Sequence, residues 1–134
     1  MQKILWGMLL LAGTLFSAEL VWQKGMTSAF EKAQKENKVV MVLVEGDHCG
    51  WCTKMKESTL SADSVSQRLE PYILVKVMHG NREDVKDLPI IKALPTIFFL
   101  NANKKVLESV VGYSNIVEFA GLIDSVEKKV PLKK

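Results

Sequence analysis

Both cysteines of the chain lie in one short motif, Cys49-Gly50-Trp51-Cys52, and this motif constrains the fold more than any other feature. It follows an apolar run at residues 39–44 and precedes a stretch with helical spacing. The run is rich in β-branched residues and does not alternate with polar ones, which is typical of a central parallel strand covered on both faces. Reaction sites in open α/β sheets lie just beyond the carboxyl ends of such strands. The sequence therefore predicts a strand, a loop and a helix with two thiols at their junction.

Length and composition indicate one globular domain. The chain has 134 residues, of which 48% are hydrophobic and 25% are charged. The net charge is only +3, the two arginines are Arg68 and Arg82, and the lysines are scattered over predicted helix faces. A solvated surface explains this pattern, so we expect no nucleic-acid partner.

The N-terminal segment has the layout of a secretory signal peptide. Lys3 is followed by an uncharged apolar run at residues 4–16 and by small residues before Glu19. The run is too short for an ordinary membrane span, although an uncleaved anchor is the alternative. The sequence therefore predicts a signal peptide at residues 1–18, an exported domain at residues 19–134, and an oxidising compartment for the cysteines.

Hydrophobic periodicity predicts an order of helix, strand, helix, strand, helix, strand, strand, helix. A short edge strand or a lead-in is expected at residues 21–22, and a single helix at residues 50–60. The other predicted elements are a helix from residue 26 that stops at residues 37–38, a helix at 62–69, strands at 72–78, 96–100 and 106–111, a turn with a short helix at 84–93, and a last helix capped by Ser114.

The chemistry of a redox dithiol suits this motif. Only the thiolate attacks a disulfide, so one thiol must have a low pKa. Cys49 falls at or just before the first helical turn, where free backbone N–H groups and the helix dipole favour a negative sulfur. Cys52 lies one turn further in and is expected to be more buried, as the resolving thiol. Gly50, Trp51 and nearby charges are expected to set the balance between reduction and oxidation.

Three other interpretations of the cysteine pair are weaker. A structural disulfide that closes so short a loop removes little unfolded-state entropy. A zinc site normally needs four ligands, and His48 and His79 do not lie at finger spacing. Covalent haem attachment needs a histidine directly after the second cysteine, where this chain has Thr53.

A copper(I) site is the sharpest rival. Cys49, Cys52, Met55 and His48 are soft or borderline ligands within one helical turn and a loop. Methionine at helical spacing usually belongs to the core, however, so redox chemistry is the favoured interpretation. No metal and no cofactor is expected for that chemistry.

The step Leu94-Pro95-Thr96 is the second informative feature. A proline that opens a buried strand is unusual unless it has a special backbone conformation. A cis peptide bond is one such conformation.

Together these motifs resemble the thioredoxin superfamily. The matching parts are the strand before the cysteine motif, the Leu94-Pro95-Thr96 step about 45 residues later, the hairpin, Gly112 and the last helix. The Cys-x-Trp-Cys-x-x-Met pattern with a signal peptide is similar to exported bacterial thiol:disulfide interchange proteins. The resemblance implies a three-layer α/β fold with a central mixed sheet of four to five strands flanked by helices.

The resemblance also implies roles for individual residues. Cys49 would be the nucleophile and Cys52 the resolving thiol. The Leu94–Pro95 bond would be cis and lie beside the sulfurs, and the backbone of Leu94 would pair with an extended substrate segment. Gly50 and Trp51 would belong to the same substrate surface. Lys76 falls where the family has a buried lysine near the active site.

Two departures from thioredoxin affect tuning of the site. Thioredoxin has a buried aspartate six residues before the first cysteine, where this chain has Leu43. Glu45 is the candidate substitute, with an exposed loop carboxylate as the alternative. His48 replaces a tryptophan and, if protonated, would stabilise the Cys49 thiolate; a solvent-exposed loop histidine is the alternative.

These observations predict a periplasmic thiol:disulfide oxidoreductase that reduces disulfides of exported proteins. Its substrates would be protein disulfides or dithiols, including apocytochromes, and its electron donor would be a membrane thiol carrier. The sequence does not predict an oligomeric state.

Overall fold

The structure, a computed structural model, describes residues 19–130 and Gly13. The predicted signal peptide, residues 1–18, otherwise lies outside the described residues, as do residues 131–134. Across the described part of the chain, no helix has the length and apolar character needed to cross a membrane. The elements are β1 (Trp22–Gln23), α1 (Met26–Glu36), β2 (Val40–Glu45), α2 (Gly50–Lys54), a π-helical segment (Met55–Leu60), α3 (Asp63–Ser66), β3 (Ile73–Met78), α4 (Arg82–Val85), β4 (Thr96–Leu100), β5 (Val106–Val111) and α5 (Ile116–Lys129).

One five-stranded mixed sheet organises the domain, in the order β1-β3-β2-β4-β5. Strand β3 runs parallel to β1 and to β2, whereas β4 runs antiparallel to β2 and to β5. All six residues of β2 are buried, as expected for the central strand. The predicted α/β fold with a mixed sheet and the predicted β4–β5 hairpin are therefore confirmed.

Successive residues of β2 point to opposite faces and build two core clusters. Met41 and Leu43 pack on one face in a cluster that includes Phe99 of β4 and Phe119 of α5. On the opposite face, the alternate valines of β2 pack with Phe30 of α1. This arrangement gives the three layers that the resemblance implies.

The helix that follows the cysteines differs from its prediction. A single helix was expected over residues 50–60, but α2 ends at Lys54 and continues as a π-helical segment, Met55–Leu60. π-Helical segments are rare in proteins, and those that do occur are often found at functional sites. In this geometry the Thr59 hydroxyl donates to the Ser114 carbonyl at 2.7 Å. The contact ties the segment to the turn before α5.

Other helix boundaries also differ. Asn115, not Ser114, caps α5, and it exchanges hydrogen bonds with Glu118 in a capping box. A turn with a short helix was expected at residues 84–93, but α4 begins earlier, at Arg82, and ends at Val85, and irregular backbone leads from it to Pro95. Proline disfavours helical backbone in the residue before it, so Pro89 opposes continuation of α4.

Tyr72 provides a prediction about stability at alkaline pH. Its side chain is buried with Phe99, and its hydroxyl has no hydrogen-bond partner within the described residues. Burial raises the pKa of Tyr72 above its ordinary value of 10.0, and Glu127 adds to the rise. The pKa of Tyr72 is thus higher in the folded protein than in the unfolded chain. The stability that this difference contributes is complete below pH 10.0 and is lost as the pH rises above that value.

We therefore expect Tyr72→Phe to lose less stability above pH 10.0 than the wild type. At neutral pH it should stay within about 1 kcal/mol of the wild type, because no protein hydrogen bond is lost. Urea unfolding at neutral and alkaline pH measures this. Tyr113→Phe is the matched control, since the pKa of Tyr113 is lowered. Equal alkaline losses in Tyr72→Phe and wild type would contradict the assignment.

Candidate active site

The two cysteines form a disulfide at the start of α2, with a Cα–Cα distance of 5.2 Å. Cys49 is the N-cap of this helix, and its sulfur accepts a hydrogen bond from the Cys52 amide at 3.2 Å. The predicted position of Cys49 at the helix start is thus confirmed. A negative sulfur at this point faces unpaired helix N–H groups and the positive end of the dipole.

The two sulfurs differ in access to solvent. Cys49 is half-buried, whereas Cys52 is buried with 2% of its surface exposed. The expected asymmetry between an accessible thiol and a hidden one is confirmed. An incoming group therefore reaches Cys49 first.

A cleft of about 460 Å³ opens beside the disulfide. Its lining includes Glu45, Gly46, His48, Cys49, Cys52 and Lys56, with Gly50 and Thr53. The structure thus brings together five of the predicted site residues: both cysteines, Gly50, Glu45 and His48. These residues come from the end of β2, the following loop and the first turns after it.

The Leu94–Pro95 peptide bond is cis, as the resemblance implies. Pro95 is buried, and its carbonyl accepts a hydrogen bond from the Gly112 amide at 2.7 Å. A Cβ built on Gly46 would lie 2.5 Å from Cδ1 of Leu94, so the Leu94 side chain lies directly against Gly46. Because Gly46 lines the cleft, the proline loop adjoins the cysteine site.

Glu45 is a buried carboxylate, not an exposed loop residue. It is the last residue of β2, it is 9% exposed, and its carboxylate pairs with the Lys56 ammonium at 2.5 Å. Leu43 and Glu45 lie two residues apart in the strand and therefore point to the same face. Lys56 was missed from the sequence, although it follows Cys52 by four residues and thus lies on the same helix side.

His48 and Lys76 differ in their relation to the site. His48 is exposed in a left-handed conformation with φ 53°, and it lines the cleft. Lys76 is also exposed, with its ammonium 5.0 Å from the ring centroid of Trp22. The expectation of a buried lysine at this position is wrong. Trp22 lies in the edge strand β1, so β3 presents Lys76 to solvent beside that strand.

Met55 lies in the core and not at the surface. It is fully buried in the cluster that contains Leu43 and Phe99. Within residues 19–130, no group of three or more His, Cys, Asp or Glu side chains could hold a metal ion. The interpretation of Met55 as a core residue is therefore favoured over that of a copper ligand.

Trp51 belongs to an exposed cluster that the sequence did not reveal. Its side chain is 57% exposed, and its ring centroid lies 5.6 Å from that of Tyr113. The Lys54 ammonium lies 5.0 Å from the Trp51 centroid and 4.8 Å from the Tyr113 centroid. The pKa of Tyr113 is lowered by its polar surroundings, which include the Thr59 hydroxyl 3.5 Å from the Tyr113 hydroxyl and the Lys54 ammonium. Only the fold brings Tyr113, after β5, to the cysteine helix.

Gly112 connects this cluster to the proline loop and provides a second prediction. Its φ is +84°, and a Cβ would meet no atom within 4 Å. Gly112→Ala should therefore destabilise the domain by about 1–2 kcal/mol, through backbone strain alone. Gly121→Ala is the matched control, because this helical glycine also has open space and lacks a positive φ. The control should be neutral or stabilising by up to about 1 kcal/mol. Equal unfolding midpoints for the two variants would contradict the prediction.

Comparison with known proteins finds a matching family model and several solved structures with a similar fold. Residues 21–102 match the family model described as thioredoxin-like. The structure is similar to a thioredoxin from Thermus thermophilus, with TM-score 0.68 and 24% identity over 83% of this chain and 88% of that one. It is also similar to the DsbH oxidoreductase, with TM-score 0.64 and 19% identity over 87% and 88% of the two chains. The C-terminal domain of Neisseria meningitidis DsbD in its reduced form gives TM-score 0.58 and 22% identity, over 76% and 91% of the chains.

Among curated sequences, the chain is 35% identical over 65 residues to human spermatogenesis-associated protein 20. This match covers 48% of the chain but only 8% of that much longer protein. The family-model match spans most of the chain, and the chain belongs to the thioredoxin-like family. The thioredoxin-like fold and the spacing of the two cysteines together support thiol:disulfide exchange as the chemistry of this site.

Proposed function

We propose that this protein is an exported reductase of protein disulfides that acts through Cys49 and Cys52. The observation that carries the proposal is the placement of the pair: an accessible sulfur at a helix N-cap and a buried sulfur bonded to it. Cys49 is the nucleophile, because the helix start favours its thiolate. Cys52 is the resolving thiol.

The reaction exchanges two electrons and conserves all atoms. The Cys49 thiolate attacks one sulfur of a substrate disulfide, and the other substrate sulfur leaves as a thiolate that takes up a proton. Cys52 then loses its proton and attacks the Cys49 sulfur, which releases the second substrate thiol. The substrate is reduced, and the Cys49–Cys52 pair is oxidised to the disulfide seen in the structure.

Substrate binding is assigned to the surface around Cys49. The backbone of Leu94 pairs with an extended substrate segment by strand addition, and Pro95 ends the loop that holds it. Gly50 leaves space beside Cys49, since a Cβ there would meet no atom within 4 Å. Trp51 provides exposed aromatic surface next to the reacting sulfurs.

Proton transfer and tuning are assigned to the cleft. Glu45 accepts the proton that Cys52 loses, because it is the buried carboxylate of the cleft that both cysteines line. The ammonium of its partner Lys56 compensates the negative charge of the buried Glu45 carboxylate. His48, when protonated, favours the Cys49 thiolate from the exposed side of the cleft. Lys76 has no part in this assignment, because it contacts Trp22 instead.

A periplasmic location and a reducing direction complete the proposal. The predicted signal peptide supports export, and the pattern of the motif resembles reducing members of the family. The similar DsbD domain is known in reduced and oxidised forms. A reductase in an oxidising compartment needs a source of electrons, so a membrane thiol carrier is the proposed donor and exported protein disulfides are the substrates.

Two measurements test the proposal. With dithiothreitol as electron source, the purified protein should reduce insulin disulfides catalytically, and Cys49→Ser should fall to the uncatalysed background. In cells, maleimide labelling of the periplasmic fraction should find the pair mostly reduced. A mostly oxidised pair would refute the reducing direction. Recovery of the protein only in the cytoplasmic fraction would refute export.

A further inference from the structure

The exposed cluster of Trp51, Lys54 and Tyr113 is built on the helix that begins at the cysteine pair. Trp51 precedes Cys52 in the chain, and Tyr113 follows Gly112, whose amide donates to the Pro95 carbonyl. The cluster therefore connects the cysteine helix to the turn that is hydrogen-bonded to the proline loop. Its aromatic surface and its ammonium group face the same region, since the ammonium lies about equally far from both rings.

Lys54 is a cation that has no carboxylate partner in the part of the chain that the structure describes. Within residues 19–130, no acidic side chain lies within ion-pair distance of its ammonium. The acidic groups of neighbouring elements are engaged or turned to solvent. Glu118 caps α5 by bonding the Asn115 amide, Glu45 pairs with Lys56, and Glu57 is exposed.

We propose that Lys54, whose ammonium lies against the rings of both Trp51 and Tyr113, binds an acidic side chain beside the reactive cysteine of the substrate. The occupant is an extended segment of a substrate protein, and charge complementarity is the reason for choosing an acidic one. This inference rests on the proposed function and adds to it the class of substrate that the site selects.

The geometry suits such recognition. An exposed lysine loses rotamer freedom when it forms an ion pair, which limits the strength of surface pairs. Here the two rings already hold the ammonium, so less freedom remains to be lost on binding. Trp51 adds apolar contact area at the same position, where a hydrophobic neighbour of the substrate cysteine can pack.

Disulfide peptides that differ only in one flanking residue test the proposal. The peptides carry Glu, Gln or Lys next to the cysteine that Cys49 attacks, and kcat/KM is measured for each. We expect the Glu peptide to exceed the Gln peptide by about three- to fivefold, as for other exposed ion pairs. The preference should vanish at about 1 M salt, where the Debye length is about 3 Å.

Variants at Lys54 assign the preference to this side chain. Lys54→Gln should remove it, Lys54→Glu should invert it in favour of the Lys peptide, and Lys54→Arg should retain it. Lys32→Gln is the matched control, because this exposed lysine lies on α1, which packs on the opposite face of the sheet. An unchanged preference in Lys54→Gln would overturn the proposal.

A binding measurement separates this inference from the proposed function. Dissociation constants are measured for the same segments with serine in place of the reactive cysteine. Tighter binding of the Glu peptide than of the Gln peptide supports the proposed binding surface, whether or not any peptide is reduced. Absence of reduction would refute only the reductase function. Equal dissociation constants for the Glu and Gln peptides would overturn the proposed binding surface. Self-association that Lys54→Glu abolishes would also overturn it, in favour of a second copy of the chain as the occupant.

Discussion

Cys52→Ser is expected to attack substrate disulfides and then to stay bound to them. The buried sulfur that completes the exchange is replaced by an oxygen, which does not displace a thiol, so the reaction stops at the Cys49 mixed disulfide. Multiple turnover should fall to the uncatalysed background. Non-reducing electrophoresis of the variant should show covalent adducts that dithiothreitol releases, and mass spectrometry should locate them on Cys49.

Cys49→Ser is the matched control for the trap. Cys52 is 2% exposed, so this variant should form few adducts although it also retains one thiol. The two variants differ only in which position of the pair keeps its sulfur. Comparable adduct yields from both would contradict the assignment of an accessible attacking sulfur and a hidden resolving one.

Glu45→Gln should slow the second half of the reaction by about 10²-fold, the lower end of what a positioned general base contributes. The amide fills the same space but accepts no proton from Cys52. The variant also leaves the Lys56 ammonium without its partner. Loss of one partner of a buried pair costs about 3–5 kcal/mol, and the 34% exposure of Lys56 reduces this to about 1–2 kcal/mol.

Single-turnover kinetics separate the catalytic effect from the structural one. Formation of the Cys49 mixed disulfide should keep its rate in Glu45→Gln, whereas release of the substrate thiol should slow. Lys56→Gln is the matched control that breaks the same pair and keeps the carboxylate. An unchanged rate of substrate release in Glu45→Gln, or an equal slowing in Lys56→Gln, would refute proton transfer to Glu45.

The sequence predicted the sheet and the cysteine site because local patterns encode them. The apolar run before the cysteines marks the central strand, and the spacing of the pair places Cys49 at the helix start and Cys52 one turn further in. The Leu94–Pro95 step was also identified, because a proline at the entry of a buried strand is restricted to few conformations.

The charged and aromatic partners of the site could not be predicted in the same way. Tyr113 meets Trp51 only through the return of β5 along β4, a contact between residues far apart in the chain. Glu45 looked like a loop residue because β2 extends one residue beyond the apolar run. Lys76 looked buried because it lies within an apolar strand, yet that strand lies next to the two-residue edge strand β1, where a long side chain reaches solvent.

The reduction potential of the Cys49–Cys52 pair tests the central claim most directly. It is measured by equilibrating the protein in dithiothreitol redox buffers of graded ratio and quantifying the free thiols. Disulfide exchange as a reductase predicts a value of about −270 to −200 mV, the range of thioredoxins and glutaredoxins. A value well below about −300 mV, typical of structural disulfides, would show that the bridge is inert and would contradict a redox role for the pair.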